Sequence, residues 1–414
     1  MVKGKAVLVL DFGNSETRVA VKYGKDSRQR VRERKFDLPN SFARVTEDYR
    51  LPDSYDEDSS SIMEMSCSTS NKEYFGNFAH GEVVRVEFEP ANACVRPTAQ
   101  QSKYDTYNTV LSYGAALLQA TRCIMEMTQT PDPNDLDIEW HIVSLLPPGD
   151  LSTGAELMEK LLMSAEIKFV QPKFDFSGIK PTSVMTLPEG FCAYIGVIYE
   201  SYGIYREGYS DIAKGITLII DIGAGTTDAT IVENGQVVDN SKHTISIGGN
   251  NVRQSVRAKV KEKYGFKPNE NDATQAIVSG ILRDGSKKIN ILDIIDSAKQ
   301  DVAVRLTNDI RDFFEEIMYN IRRIDNLLVC GGGTLSGTID KDTLIDMGYK
   351  EESLIDRPIS EILQEYISEL APNITLVEMP KKKVKDSSGV ETLETISPRM
   401  LNIEGASIIA DKLV

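Results

Sequence analysis

Short runs of apolar and β-branched residues, each closed by Asp, Gly or Pro, recur along the chain. Val7-Leu8-Val9-Leu10, Val19-Ala20-Val21, Ile138 to Leu146, Thr217-Leu218-Ile219-Ile220, Ala229-Thr230-Ile231-Val232 and Asn326 to Cys330 predict buried strands. Val83 to Phe88 alternates and reads as a further strand, while Val237 to Asp239 and Thr244 to Ile247 continue a sheet. Helical spacing replaces this pattern in two long segments. Leu111, Ala115, Leu118, Ala120 and Ile124 share one face of a helix within Tyr104 to Thr128. Ile295, Ala298, Val302, Leu306, Ile310, Phe313 and Ile317 do so between Leu292 and Ile324. A third helix is expected to close the chain over Ala406 to Val414.

Two of the strand pairs enclose a special turn. In L-I-I-D-I-G-A-G-T-T-D-A-T-I-V, Leu218 to Val232, an apolar strand ends at Asp221 and the next begins after Thr227. Gly223 and Gly225 leave the backbone free to aim amides at an anion, and Thr226 and Thr227 add hydroxyl donors. Asp221 is placed to hold a hydrated magnesium ion beside bound phosphates. The plan recurs at Val7 to Val21, where Asp11-Phe12-Gly13-Asn14-Ser15-Glu16-Thr17-Arg18 lies between two apolar strands. No G-x-x-x-x-G-K-[ST] sequence is present, so the phosphate chemistry is that of a hairpin and not of a P-loop. Two such hairpins imply two related lobes gripping one nucleotide.

Composition narrows the surroundings. A net charge of -15 argues against a surface that binds nucleic acid directly, because such binding rests on Lys and Arg neutralising phosphates. Five scattered cysteines, Cys67, Cys94, Cys123, Cys192 and Cys330, lack C-x-x-C spacing and read as reduced thiols, which fits a cytoplasmic protein. The start enters a strand without a signal-peptide pattern, and no apolar run reaches membrane-spanning length. The basic stretch Tyr23 to Arg34 reads as a charged loop or edge, the segment from Lys35 to Pro97 as a polar and broken insert, and Lys381 to Glu394 as a hairpin.

Five segments in order carry a resemblance: the Asp11 hairpin, Leu187-Pro188-Glu189-Gly190-Phe191-Cys192-Ala193-Tyr194, the Asp221 hairpin, Asn326 to Leu335 with Gly331-Gly332-Gly333-Thr334, and Arg399 to Ala406. Together they resemble the first phosphate, first connecting, second phosphate, adenosine and second connecting motifs of the actin, sugar kinase and seventy-kilodalton chaperone superfamily. The resemblance implies an α/β fold of two actin-like (ribonuclease H-like) lobes with the nucleotide in the cleft. The first lobe would be residues 1–205 and 400–414, with an inserted subdomain at about 36–97, and the second lobe 206–399.

The branch most alike is the ParM-type plasmid-segregating actins. The resemblance then implies that Glu189 positions the attacking water, with Asp228, matching a chaperone aspartate, as a second catalytic candidate. Gly13, Asn14, Ser15, Glu16, Thr17, Arg18, Gly223, Ala224, Gly225, Thr226, Thr227, Gly248, Gly249, Gly331, Gly332, Gly333 and Thr334 would hold ATP, with GTP as the alternative, and Asp11 and Asp221 would hold magnesium. Arg18 stands where actins usually carry Lys. The implied partners are further copies of the chain in a homopolymer filament and a basic adaptor that binds DNA, without direct contact to nucleic acid or membrane. A monomeric sugar-type kinase of the same superfamily is the alternative.

Overall fold

The computed structural model describes all residues except 1, 14–15, 26–30, 56–59, 89–93, 96–101, 173–179, 335–338, 355, 386–390 and 414. The chain divides into two compact units, Met1–Ile204 with Asn402–Val414, and Tyr205–Leu401.

The first unit opens with β1 (Val2–Phe12), β2 (Glu16–Lys25) and β3 (Val31–Pro39), an antiparallel meander. Next come β4 (Phe42–Val45), β5 (Ser60–Ser68), β6 (Glu73–Gly81), helix α1 (Glu82–Glu87) and β7 (Cys94–Val95). Helix α2 (Tyr107–Thr128), β8 (Leu136–Leu146), α3 (Leu151–Ser164), β9 (Glu166–Gln171), β10 (Ser183–Pro188), α4 (Phe191–Ile198), β11 (Tyr199–Ser201) and β12 (Ile204–Tyr205) follow. The main sheet runs β10-β8-β1-β2-β3, with β8 parallel to both β1 and β10. β1 is central and its residues Ala6 to Leu10 are fully buried, which accounts for its unbroken apolar run.

The second unit contains β13 (Ile216–Ile222), β14 (Thr227–Glu233), β15 (Gln236–Ile245), α5 (Gly249–Tyr264), α6 (Glu270–Ser279), β16 (Ile281–Asp284), β17 (Lys287–Asn290) and α7 (Leu292–Glu316). It continues through β18 (Asn326–Cys330), α8 (Lys341–Asp346), α9 (Ile359–Leu370), β19 (Thr375–Leu376) and the hairpin β20 (Lys381–Lys385) with β21 (Glu391–Thr395). Its sheet runs β15-β14-β13-β18-β19. Three antiparallel strands are followed by two parallel ones, the same topology as in the first unit. The helical stripe anticipated between Leu292 and Ile324 forms α7, which ends at Glu316, and its apolar face belongs to the core of this unit.

Three elements differ from the sequence reading, one being the closing helix, which spans Leu401–Ala410 and not Ala406 to Val414. Val83 to Glu87 lies in helix α1 and not in a strand. Gly81, at φ 97°, ends β6, and the neighbours Val83 and Val84 are both buried while Val86 is 67% exposed, a helical distribution that alternation cannot give. The insert's sheet, β7-β4-β6-β5-β9, also recruits β9 from beyond α3, because Met63 and Met65 on β5 need an apolar neighbour and Ile167 and Phe169 supply it. Among the described residues no helix is long and apolar enough to cross a membrane.

The closing helix, α10 (Leu401–Ala410), is fastened within the first unit by charge. Lys35 bonds Glu404 at 2.6 Å and Glu33 at 2.9 Å, Lys22 bonds Asp411 at 2.5 Å, and the Ser407 hydroxyl donates to Glu33. Burial acts to raise the Glu33 carboxyl, but Lys35, Lys22 and Ser407 outweigh it and hold it below the usual value of 4.5. A carboxyl depressed in the folded state contributes stability above its unfolded pKa, and that contribution is lost as pH falls below about 4.5. Lys35→Met is expected to destabilise the protein by about 3 kcal/mol at pH 7. The difference from the wild-type chain should shrink as pH falls below 4.5, measured by denaturant titration.

Candidate functional site

The two hairpins have the same geometry. In the first unit, Gly13 N–H donates to Glu16 O at 3.0 Å, and Asp11 stands opposite Arg18 in the β1–β2 register. In the second, Gly223 N–H donates to Thr226 O at 2.8 Å, and Asp221 stands opposite Asp228 in β13–β14. Each pair is seven residues apart in sequence, so the facing arrangement follows from the turn length. Asn14 and Ser15 lie outside the described residues.

The residues opposite the aspartates set the electrostatics. Arg18 Nη1 donates to Asp11 Oδ2 at 3.0 Å and its Nη2 to Glu16 Oε1 at 3.2 Å, so the first hairpin carries a nearly buried ion pair. The second hairpin places two carboxylates across from each other, Asp221 and Asp228, 6% and 8% exposed. Thr244 Oγ1 donates to Asp228 Oδ1 at 2.5 Å. Facing carboxylates repel unless a cation or proton lies nearby.

Several hydroxyls that the sequence offers as phosphate donors are committed elsewhere. Thr17 donates to Asn40 Oδ1 at 2.7 Å, Thr227 to Ile247 O at 2.7 Å and Thr334 to Gly331 O at 3.0 Å, all three being buried. Thr226 remains half-buried beside Gly223.

Three glycine-bearing segments of the second unit converge. Gly249 N–H donates to Gly223 O at 3.0 Å, and Asn250 N–H to Ala224 O at 2.8 Å, which sets the first turn of α5 directly on the Gly223 turn. A β-carbon on Gly248 would lie 2.7 Å from Gly223 O, and one on Gly333 would lie 2.1 Å from the same oxygen. Gly331, at φ 94°, packs so that a β-carbon would meet Asp221 Oδ1 at 2.2 Å. Backbone thus approaches backbone where side chains cannot fit, and the N-terminus of a 16-residue helix lies against the turn. Gly332 is exposed.

Glu189 follows the last residue of β10, and its amide donates to Leu146 O at 2.8 Å, extending the parallel ladder by one step. Gly190, at φ 67° and ψ -57°, forms a γ-turn in which Phe191 N–H donates to Glu189 O at 2.6 Å. Gly190 N–H is held by Asn402 Oδ1 of the same unit at 2.9 Å. Glu189 therefore sits just past the carboxyl end of β10, an edge strand of the main sheet, and is 8% exposed. Burial pushes the Cys192 thiol well above its ordinary value, and Glu189 and Asp11 push it further.

Sequence reasoning missed Lys103. Its ammonium bonds Glu189 Oε1 at 2.6 Å, from a short turn just before α2. The partners are 86 positions apart in sequence, so no local pattern announces the pair.

A family model described as archaeal actin homologue MreB-like, C-terminal, matches residues 219–337, the stretch that holds the second hairpin and the Gly331 turn. The archaeal actin homologue Ta0583 superposes with a TM-score of 0.61 at 16% identity, over 99% of this chain and 100% of that one. The chain has the actin-like fold. Ta0583 in complex with ADP aligns with a TM-score of 0.57 at 16% identity, covering 99% of each chain. A ParM from Clostridium botulinum in a 15-stranded filament aligns with a TM-score of 0.56 at 14% identity, covering 99% of each chain. This actin-like chain therefore resembles both archaeal actin homologues and ParM. Among curated proteins nothing matches.

Proposed function

We propose that this chain is an actin-like ATPase that polymerises with Mg-ATP and, through a basic adaptor, segregates plasmid DNA. The observation that carries the nucleotide reading is the second unit's cradle, where Gly223, Gly248, Gly249, Gly331 and Gly333 bring three backbone segments into contact. Support for a nucleotide comes from the ADP complex of Ta0583, and for assembly from the Clostridium botulinum ParM filament. The acidic balance of -15 favours an adaptor over direct DNA contact.

The donor set fits the ligand. Backbone amides of the Gly223 turn and of the start of α5 suit phosphate oxygens. Asp221 and Asp228 offer hard oxygen donors on one face of the hairpin, and magnesium is usually held by one or two carboxylates plus phosphates. Asp11, already paired with Arg18, serves better to orient that guanidinium toward phosphate than to ligate a metal.

Bound Mg-ATP supplies the phosphoryl group and the ion that offsets its charge. Glu189 accepts a hydrogen bond from the attacking water and orients it, and Lys103 fixes the carboxylate's direction. The Gly223 turn and the start of α5 would hold the phosphates, and the Gly331 to Thr334 turn would meet the nucleoside. Assembly is favoured with ATP bound, and hydrolysis weakens the subunit contacts.

Lys103→Met is expected to slow phosphate release about 10-fold with ATP affinity unchanged, and Lys103→Arg to restore most of it. Single-turnover and calorimetric measurements on both variants check this. Phosphate release measured against protein concentration tests the function itself. Turnover that rises above a critical concentration supports a polymerising ATPase, whereas turnover that appears only with an added sugar or other hydroxyl acceptor would replace it with a kinase.

A further inference from the structure

A cavity of about 490 Å³ lies within the first unit, and neither Gly13 nor Glu189 lines it. Its walls are the end of β3, the start of β5, the junction of β6 with α1, and one stripe of α2. The size falls inside the roughly 300–1,000 Å³ of ordinary small-molecule pockets.

The interior chemistry is specific. Leu38, Ala115 and Leu118 give apolar surface. Against them stand His80 and Ser61, cross-strand neighbours on β6 and β5, with Phe42 of β4 paired to His80 on its other side. His80 stacks on Phe42 at 5.0 Å, and its Nε2 donates to Pro39 O at 3.3 Å. Burial, opposed by that backbone bond, lowers the ring's pKa to about 4, so the imidazole is neutral at physiological pH. Ser61, 2% exposed, has a buried hydroxyl without a hydrogen-bond partner. Leaving a buried hydroxyl unpaired is costly, and a ligand's hydrogen bond would recover that cost. Among the described residues the ionised side chains lining the cavity are Glu82 and Arg122, of opposite sign, so neither anions nor cations are favoured as a class.

The pocket is also wired to the phosphate hairpin. Pro39, held by His80, precedes Asn40, whose amide donates to Gly13 O at 2.5 Å and whose Oδ1 accepts from Thr17 and Ser112. Ser112 lies one turn before Ala115 on α2. Any occupant that shifts Pro39 or α2 therefore pulls on the Gly13 turn.

We propose that this cavity is an effector site for a small, uncharged, mostly apolar molecule with one hydroxyl or carbonyl, which bonds Ser61 and is coupled through Pro39 and Asn40 to the Gly13 turn. The binding part is independent of the nucleotide reading, while the coupling rests on it.

Phenol is a suitable probe, with benzoate and benzylamine as charged comparators, on the full chain by calorimetry and ligand-observed NMR. Saturable phenol binding at one site is expected, at least 10-fold tighter than either charged comparator. Ser61→Ala should weaken it about 5- to 10-fold without loss of thermal stability, and Val86→Trp, at the exposed rim, should abolish it. Saturating phenol should change Mg-ATP affinity at least two-fold. The site is overturned if phenol does not saturate, as for a cavity that holds water only, or binds both variants as it binds the parent. Saturable binding that leaves the affinity of measurable Mg-ATP binding unchanged overturns the coupling, and a parent chain that binds phenol but no ATP removes the nucleotide reading while leaving the site.

Discussion

Glu189→Gln should release phosphate about 100- to 1,000-fold more slowly than the wild-type chain while binding ATP with similar affinity, and its polymers should persist. The amide keeps the shape of the side chain and an oxygen for Lys103, so the γ-turn at Gly190 and the bond to Asn402 remain. What it loses is the carboxylate that orients and partly deprotonates water, a contribution of about 10²- to 10⁴-fold for a well-placed general base. Glu189→Ala is a poorer test, because it removes one side of the Lys103–Glu189 ion pair and mixes a stability loss into the rate. Single-turnover phosphate release, alongside calorimetric ATP affinity, separates the two effects. A Glu189→Gln chain that hydrolyses at the wild-type rate would shift the role to Asp228 or to a water held by backbone.

Gly333→Ala should lower ATP affinity at least 100-fold and destabilise the second unit by about 2–4 kcal/mol, whereas Gly332→Ala should change stability by less than about 0.5 kcal/mol. The contrast follows from the packing. A β-carbon on Gly333 would stand 2.1 Å from Gly223 O and 2.8 Å from Ile222 O, both backbone atoms that cannot rotate away. Relief requires the Gly331 turn to move off the Gly223 turn, which opens the cradle. Gly332 is exposed, and its side of the turn has room. Thermal melts of the three proteins, with ATP titrations on each, read both quantities. Equal melting temperatures for wild type and Gly333→Ala would show that the three segments do not pack as described.

Much of the fold could be read from the chain because its local signals agree with its tertiary ones. The Asp11 and Asp221 hairpins have strands buried on both faces, so their apolar runs are unbroken, and the shared turn length fixes which residues face the aspartates. The seven-residue spacing could have exposed the Asp11–Arg18 pair and the Asp221–Asp228 pair in advance. Other features depend on distant partners. Lys103 meets Glu189 only because the turn before α2 packs near the end of β10. Val83 to Glu87 satisfies both strand and helix patterns until Gly81 and the burial of adjacent valines decide between them. A hydroxyl beside a glycine turn looks like a phosphate donor in sequence, yet those of Thr17 and Thr227 bond inward to Asn40 and Ile247. Ser61 and His80 carry no motif at all, and their meeting is a matter of strand register.

Sedimentation across a protein concentration series, with Mg-ATP, Mg-ADP or no nucleotide, tests the central claim most directly. A nucleotide-driven polymerising ATPase predicts a pellet that grows linearly above a sharp critical concentration in Mg-ATP, with that threshold several-fold higher or absent in Mg-ADP. A chain that stays in the supernatant at every concentration in Mg-ATP, or pellets equally in all three conditions, would contradict it.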